Sequence, residues 1–187
     1  MKVIKTTLED ALLIEPKVFG DHRGFFTESY NKETFAAAGI DIDFVQDNHS
    51  LSKEAGVLRG MHYQLNDKAQ TKLVRVTSGA IYDVIVDIRK GSPTYGKWEG
   101  FILSEHNHRQ LLVPQGFAHG FCTITENVNV QYKVDQVYSP EHDRGIAYDD
   151  PALAINWPMS QFILSEKDQH HPTLAEADNN FIWEAKE

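Results

Sequence analysis

The chain has 187 residues, a length that predicts one domain with a sizeable buried core. Hydrophobic residues make up 41% and charged residues 24%, which is typical of globular proteins. The formal net charge of −9 argues against non-specific nucleic-acid binding, because such binding needs a broad basic surface. An anionic small molecule is still compatible with this charge, provided that a few basic side chains converge on it.

The first ten residues lack the apolar run of a signal peptide, and no stretch has the length of a membrane span. We therefore expect a cytoplasmic protein that is not bound to a membrane. Cys122, the only cysteine, lies in the apolar run 120–124. This context predicts a buried, unreactive thiol and excludes a disulfide framework.

Strand patterns dominate the chain from residue 11 onward. Residues 11–19 are largely apolar, a turn cluster follows at 20–24, and residues 25–30 predict another strand. Asn31 is typical of a helix N-cap, residues 32–38 predict a short helix, and Gly39 is typical of a helix end. Further strands are predicted at 44–51, 57–65, 72–77, 80–88, 97–104, 110–113, 116–125 and 128–134.

The connections predict the architecture. The turn at Ser78 and Gly79 predicts a hairpin between residues 72–77 and 80–88. From residue 139 the chain predicts loops, with a candidate helical turn at 165–170. Many short strands with one short helix predict an antiparallel sandwich or barrel that can hold one small ligand in its mouth. Because no repeat or linker divides the chain, we expect residues 1–187 to form one domain.

The stretch 56–64 is similar to the first half of a cupin metal motif, but its ligands differ. A metal-binding cupin has His-x-His followed by Glu, whereas this chain has His62 and Gln64. The spacing back from Gly79 places Lys72 at the Glu position. A lysine in place of a carboxylate disfavours a divalent cation and favours metal-free proton chemistry on an anion.

A metal-dependent reading stays open at this point. Pro114, Gly116 and His119 form a second cupin-like piece. His62 and His119 could converge on a metal ion, with Gln64 as a weak third ligand.

Two further side chains are candidates for the chemistry. Tyr132 shares one strand face with three valines, so we expect it to point inward, as a core aromatic or as an acid in proton transfer. Lys72 shares a face with Val74 and Val76, which is unusual for lysine unless it is paired or functional. A cation at that position could stabilise an enolate oxygen; a solvated strand end is the alternative.

The remaining candidates depend on how distant segments meet. Arg59 and His62 have opposite parity, so both reach one cavity only through a bulge or at a strand edge. Arg23, Arg59 and Lys167 are candidate anion-binding cations. Asp168 could orient a histidine and raise its basicity, although spacing alone does not pair it with His62.

Taken together, these segments resemble one family, the dTDP-4-dehydrorhamnose 3,5-epimerases of the cupin superfamily. The matching text spans most of the chain and is ordered as PKVFGDHRGFF (16–26), FVQDNHS (44–50), LRGMHYQ (58–64), KLVR (72–75), VDIR (86–89), VPQGFAHGF (113–121), YSP (138–140), WP (157–158) and SEKD (165–168).

The resemblance implies an all-β cupin jelly roll with a few short helices, acting as a homodimer without metal or other cofactor. It implies an isomerase that epimerises dTDP-4-dehydro-6-deoxy-α-D-glucose at C3 and C5 through an enolate. The product would be dTDP-4-dehydro-β-L-rhamnose, in dTDP-L-rhamnose synthesis. Related members that invert one centre or use another dTDP-sugar remain an alternative.

The resemblance also implies roles for residues. His62 is the base, Asp168 its partner, Tyr132 the acid on the opposite face and Lys72 the enolate stabiliser. Tyr138 is implied to stack on the thymine. The other implied substrate contacts are Arg23, Phe26, Glu28, Gln46, Asp47, Asn48, Arg59, His119, Asp143 and Lys167.

The resemblance leaves two points open: which subunit supplies the contacts near residues 25–28, and which acidic residue contacts the nucleotide. In the family, a phenylalanine and a glutamate from the strand near residues 25–28 can come from the neighbouring subunit. The family often has a glutamate in the loop after YSP as a nucleotide contact. Asp143 is the best positional match here, and Glu141 competes with it.

Overall fold

The computed structural model describes residues 1–185 and is built almost entirely from short β-strands. One α-helix, α1 (Lys32–Ala37), and one 3₁₀ helix, Asp168–His170, interrupt them. The strands are β1 (Lys2–Lys5), β2 (Leu12–Glu15), β3 (Val18–Asp21), β4 (Gly24–Thr27), β5 (Gln46–Ser52), β6 (Leu58–Gln64), β7 (Lys72–Ser78), β8 (Ala80–Asp87), β9 (Trp98–Ser104), β10 (Gln110–Val113), β11 (Phe117–Thr123), β12 (Val128–Val134) and β13 (Asp143–Gly145).

Two antiparallel sheets form a sandwich. The larger sheet has the order β1-β2-β10-β7-β12-β5, and the smaller has the order β13-β6-β11-β8-β9. Strands β3 and β4 form a separate two-stranded hairpin. The predicted all-β jelly-roll sandwich is therefore confirmed.

The core lies between the sheets and continues on both outer faces. Val74 and Leu111 of the larger sheet pack with Ile85 and Phe121 of the smaller one. A second cluster covers the outer face of β8 with the C-terminal segment, and α1 covers the outer face of the larger sheet through Phe35. Because both faces of these strands are buried, their sequences read as apolar runs more often than as strict alternation.

The short helix matches its prediction. The side chain of Asn31 accepts a hydrogen bond from the backbone N–H of Thr34 at 3.1 Å, which caps the first turn. Gly39 has a φ of +85°, the left-handed conformation that ends helices. Among the described residues, no helix has the length and apolar character needed to cross a membrane.

The predicted hairpin between residues 72–77 and 80–88 is wrong. Strands β7 and β8 are consecutive but lie in opposite sheets, so the turn at Gly79 carries the chain across the sandwich. Gly79 has a φ of +77°, and a Cβ there would lie 2.6 Å from Thr125 Oγ1. The predicted strand 11–19 is also divided, because Pro16 has no N–H to continue the ladder between β2 and β3.

A bulge in β6 shapes the site. His119 pairs with His62 and Phe121 pairs with Arg59, so three steps on β6 correspond to two on β11. The extra residue brings Arg59 and His62 to the same face, as the sequence required. Strands β6 and β11 lie so close together here that a Cβ on Gly60 would lie 2.6 Å from Gly120 Cα.

Candidate active site

A cavity of about 440 Å³ is lined by residues from both sheets. The smaller sheet contributes Arg59 and His62 from β6 and His119 from β11. The larger sheet contributes Lys72 and Tyr132, and the segment 163–168 closes one side. The lining residues are Ser50, Val57, Leu58, Arg59, His62, Lys72, His119, Phe121, Tyr132, Ile163, Leu164, Ser165, Lys167 and Asp168.

His62 and Asp168 form a hydrogen-bonded pair. The Nε2 atom of His62 lies 2.5 Å from Asp168 Oδ1, and the side chain of Asp168 is 4% exposed. An ionised Asp168 accepts a hydrogen bond, so Nε2 carries the proton and Nδ1 keeps a lone pair. Burial lowers the pKa of His62, and the nearby Asp168 opposes this effect only in part. The imidazole is therefore neutral at neutral pH and can take a proton.

Several donors converge on Asp168. In addition to His62, two groups approach this carboxylate: His171 Nε2 lies 3.3 Å from Asp168 Oδ1, and the backbone nitrogen of Gly60 lies 3.4 Å from Asp168 Oδ2. Burial opposes ionisation, but the hydrogen bonds from His171 and His62 prevail and hold the pKa of Asp168 well below its usual range. The carboxylate is therefore ionised and can stabilise a protonated His62.

Tyr132 and Lys72 approach the cavity from the larger sheet. Burial raises the pKa of Tyr132, so the phenol keeps its proton at neutral pH and can act as an acid. Burial lowers the pKa of Lys72 to about 8, partly opposed by the carboxylates of Asp83 and Asp143. The ammonium is thus still the main form at neutral pH, in a dry position where its charge acts strongly.

His119 belongs to a second buried pair. Its Nε2 lies 2.6 Å from Asp83 Oδ1, and Asp83 is fully buried. His119 and His62 are Cα partners on neighbouring strands. The cavity is therefore lined by two adjacent histidines, each paired with a carboxylate.

A polar cluster continues from the cavity toward the surface. The carboxylate of Asp143 accepts hydrogen bonds from the hydroxyl of Tyr138, at 3.0 Å, and from the ammonium of Lys167. Glu141 is exposed, and its backbone carbonyl accepts from Arg144 at 2.9 Å. Of the two acidic residues of this loop, Asp143 thus has its carboxylate in the polar cluster, whereas Glu141 is exposed.

Strand β5 separates its three candidates. Gln46 and Asn48 share the face of Ser50, which lines the cavity, and Gln46 donates to Asn48 Oδ1 at 2.8 Å. Asp47 has the opposite parity and pairs with Lys133 at 2.9 Å on the outer face. The structure thus places Asp47 away from the cavity, because neighbouring residues of a strand point to opposite sides.

Three further candidates lie on or next to the β3–β4 hairpin, away from the cavity. Arg23 is exposed and pairs with Asp21 at 2.5 Å, and Phe26 is 66% exposed. Glu28 accepts a hydrogen bond from Asn31 at 3.3 Å. Within one chain, the structure does not bring these residues to His62.

The cluster of His62, Asp168 and His171 has its ligand-type atoms within 4.8 Å of one another. Lys72 and Lys167 face the same cavity, and two ammonium groups disfavour a divalent cation there. We interpret the cluster as a hydrogen-bonded proton-transfer site and not as a metal centre.

Sequence reasoning missed two residues of this site. Asp83 had a usable signal, since it is a carboxylate in the apolar strand 80–88, and buried acids are rare unless paired. His171 had none, because only the path of the C-terminal segment brings it beside Asp168.

Comparison with known proteins gives consistent matches. The family model described as dTDP-4-dehydrorhamnose 3,5-epimerase matches residues 5–176. The chain is 52% identical over 179 residues to the dTDP-4-dehydrorhamnose 3,5-epimerase of Shigella flexneri, covering 95% of this chain and 98% of that one.

Two solved structures superpose closely. The dTDP-4-dehydrorhamnose 3,5-epimerase of Bacillus anthracis, with TDP and pyrophosphate bound, is 59% identical with a TM-score of 0.90, covering 92% of this chain and 98% of that one. The dTDP-6-deoxy-D-glucose-3,5-epimerase of Legionella pneumophila, in complex with dTDP-4-keto-L-rhamnose, is 47% identical with a TM-score of 0.91. That match covers 95% of this chain and 94% of the other.

The jelly-roll sandwich and these matches together identify a cupin-type isomerase. The extent and identity of the matches make the assignment specific. The chain belongs to the dTDP-4-dehydrorhamnose 3,5-epimerase family.

Proposed function

We propose that this protein is a dTDP-4-dehydrorhamnose 3,5-epimerase, an isomerase that converts dTDP-4-dehydro-6-deoxy-α-D-glucose to dTDP-4-dehydro-β-L-rhamnose. One observation carries the proposal. A histidine base, His62, and a protonated phenol, Tyr132, line one cavity from opposite sheets, with the ammonium of Lys72 beside them. Inversion of a carbon centre needs a proton acceptor on one side and a proton donor on the other.

The ketone at C4 makes the hydrogens on C3 and C5 acidic. We propose that His62 removes one of these protons through Nδ1, while Asp168 stabilises the imidazolium that forms. The C–H electron pair moves into the ring, and negative charge gathers on the C4 oxygen. Lys72 stabilises that enolate, and Tyr132 returns a proton from the other face. The step is redox-neutral, so no hydride acceptor is required.

The basic groups at the cavity account for an anionic substrate on an acidic protein. Arg59 and Lys167 both line the cavity, and they are our candidates for the diphosphate. Tyr138, which is 56% exposed at the outer end of the Asp143 cluster, is our candidate to stack on the thymine. The dTDP-4-keto-L-rhamnose complex of the Legionella relative supports a nucleotide-sugar ligand.

We further propose a homodimer in which the β3–β4 hairpin reaches the partner's cavity. The hairpin leaves Phe19, Phe25 and Phe26 between 52% and 66% exposed. Such a cluster of exposed aromatic side chains is typical of an interaction surface. A hairpin exchanged between subunits would bring Arg23, Phe26 and Glu28 to a site that lacks them within one chain.

Two broader assignments accompany this proposal. We propose that residues 1–187 act as a single epimerase domain. We also propose a cytoplasmic location, with which a single buried thiol, Cys122, is compatible.

Deuterium exchange tests the function directly. In deuterated water, the protein should place solvent deuterium on both C3 and C5 of the sugar, and mass spectrometry with proton NMR reads both positions. Incorporation at one carbon alone would indicate a single-centre epimerase, and incorporation at neither would reject the epimerase. Full exchange after treatment with a metal chelator would separate this mechanism from a metal-dependent one.

A further inference from the structure

His171 lies behind the proton-transfer pair. Its side chain is 8% exposed, and its Nε2 is 3.3 Å from Asp168 Oδ1. The same oxygen lies 2.5 Å from His62 Nε2. Two imidazoles therefore share one carboxylate oxygen, with their rings edge to face and their centroids 5.5 Å apart.

Strand β13 fixes the position of the His171 ring. Gly145 pairs with His62 across β13 and β6. A Cβ on Gly145 would lie 2.4 to 2.6 Å from three atoms of the His171 imidazole. The ring thus packs directly on the backbone beside His62, where any larger residue than glycine would displace it.

We propose that His171 is a positioning residue: it donates through Nε2 to Asp168 and holds that carboxylate toward His62. The proposal rests on the epimerase function, and His171 acts through Asp168 without touching substrate. By taking part of the charge on Oδ1, His171 also limits how strongly Asp168 holds a proton on His62. His62 then remains a neutral base to a lower pH than it would with Asp168 alone.

The effect of His171 on the pH profile can be measured only if the other charged and titratable groups around His62 are unchanged. Arg59 lies on the same strand, Lys72 and Tyr132 face it from β7 and β12, His119 lies beside it on β11, and Lys167 lies on the closing segment. Asp83 lies behind His119. Substitution of His171 alters none of these side chains, so a shift in the pH profile reports on the shared carboxylate.

The test compares His171→Phe with His171→Gln. Phenylalanine keeps a ring against Gly145 and removes the donor, whereas glutamine keeps a donor. We expect His171→Phe to lower the plateau of kcat/KM about tenfold and to move its acidic limb about one pH unit higher. We expect His171→Gln to keep the wild-type profile. A His171→Phe profile that coincides with wild type, or equal losses in both variants without a shift, would overturn the proposal.

Two measurements keep the proposal testable if His171→Phe does not fold. Gly145→Ala, which pushes the ring away, should shift the acidic limb in the same direction. In ¹⁵N-histidine-labelled wild type, NMR should find a proton on Nε2 of His171. A proton only on Nδ1 would turn a lone pair toward Asp168 and overturn the proposal. Wild-type protein that exchanges no deuterium would instead reject the epimerase function.

Discussion

His62 and Tyr132 line one cavity from opposite sheets of the sandwich. His62 lies on β6 of the smaller sheet, and Tyr132 lies on β12 of the larger one. The sandwich therefore holds an imidazole, our proposed base, and a phenol, our proposed acid, on two walls of the same cavity. A sugar ring bound between them would be open to proton removal on one face and proton return on the other.

Replacement of the base should stop proton removal. We expect His62→Ala to lower deuterium exchange by about 10²- to 10⁴-fold, the usual contribution of a general base. The matched control is His106→Ala, since His106 is exposed in the turn between β9 and β10. Circular dichroism checks that both variants fold. Full exchange by His62→Ala would remove His62 from the mechanism.

Replacement of the acid should separate the two halves of the reaction. In Tyr132→Phe, His62 still removes a proton, so deuterium should still enter recovered substrate. Epimerised product should fall by about 10²-fold or more, because no donor serves the opposite face. Tyr148→Phe, in a loop outside the cavity lining, serves as the control. Small and equal effects on exchange and product would contradict the acid role.

The pKa of Lys72 sets an alkaline limit. In the proposed mechanism the ammonium stabilises the enolate, and it is lost as pH rises through about 8, so kcat/KM should fall above that pH. Tyr132 does not interfere, because burial raises its pKa above the ordinary value near 10. Lys72→Arg should move the limit to higher pH, since a guanidinium stays charged. An unchanged limit in Lys72→Arg would assign it to another group.

Trans-complementation tests the exchanged hairpin. Arg23→Ala lacks a hairpin contact, and His62→Ala lacks the base, so each variant alone should be inactive. After the two are unfolded and refolded together, mixed dimers should carry one complete site. About one quarter of all sites should then be active, if pairing is random in a two-fold symmetric dimer. No recovery, although mixed dimers are detected by mass spectrometry, would contradict the exchange.

Close contact between β6 and β11 should make Gly60 irreplaceable. Gly60 has a φ of +124°, and a Cβ there would meet Gly120 Cα at 2.6 Å. Gly91 has a φ of +88°, and a Cβ there would have no atom within 4 Å. Gly91→Ala therefore measures the cost of backbone strain without a steric clash. We expect Gly91→Ala to cost about 1 kcal/mol of unfolding free energy and Gly60→Ala about 3 kcal/mol or more. Equal losses of unfolding free energy in the two variants, measured by urea denaturation, would contradict the packing argument.

The inward faces of the site strands could be predicted from sequence, because alternation places Lys72 and Tyr132 on apolar faces. The need for a bulge also followed from parity, since Arg59 and His62 are three residues apart. The pairing of His62 with Asp168 could not be derived from spacing, because they lie 106 positions apart in the sequence. It came from the family resemblance.

The error in the predicted hairpin has a local cause. A Ser-Gly turn between two apolar strands is compatible with a hairpin and with a crossing between sheets. Only packing of the whole sandwich selects the crossing that places β7 and β8 apart. For Asp47, the family resemblance implies a substrate contact, whereas the strand parity turns its side chain to the outer face, beside Lys133.

Cys122 offers a built-in reporter of motion in this sheet. It lies on β11 between β6 and β8, and burial raises the pKa of its thiol to about 11. A thiol reagent can therefore react only when β11 detaches from its neighbours. Because the chain has no other cysteine, the labelling rate measures how often the strand that carries His119 opens. A nucleotide sugar bound between the sheets should slow that labelling.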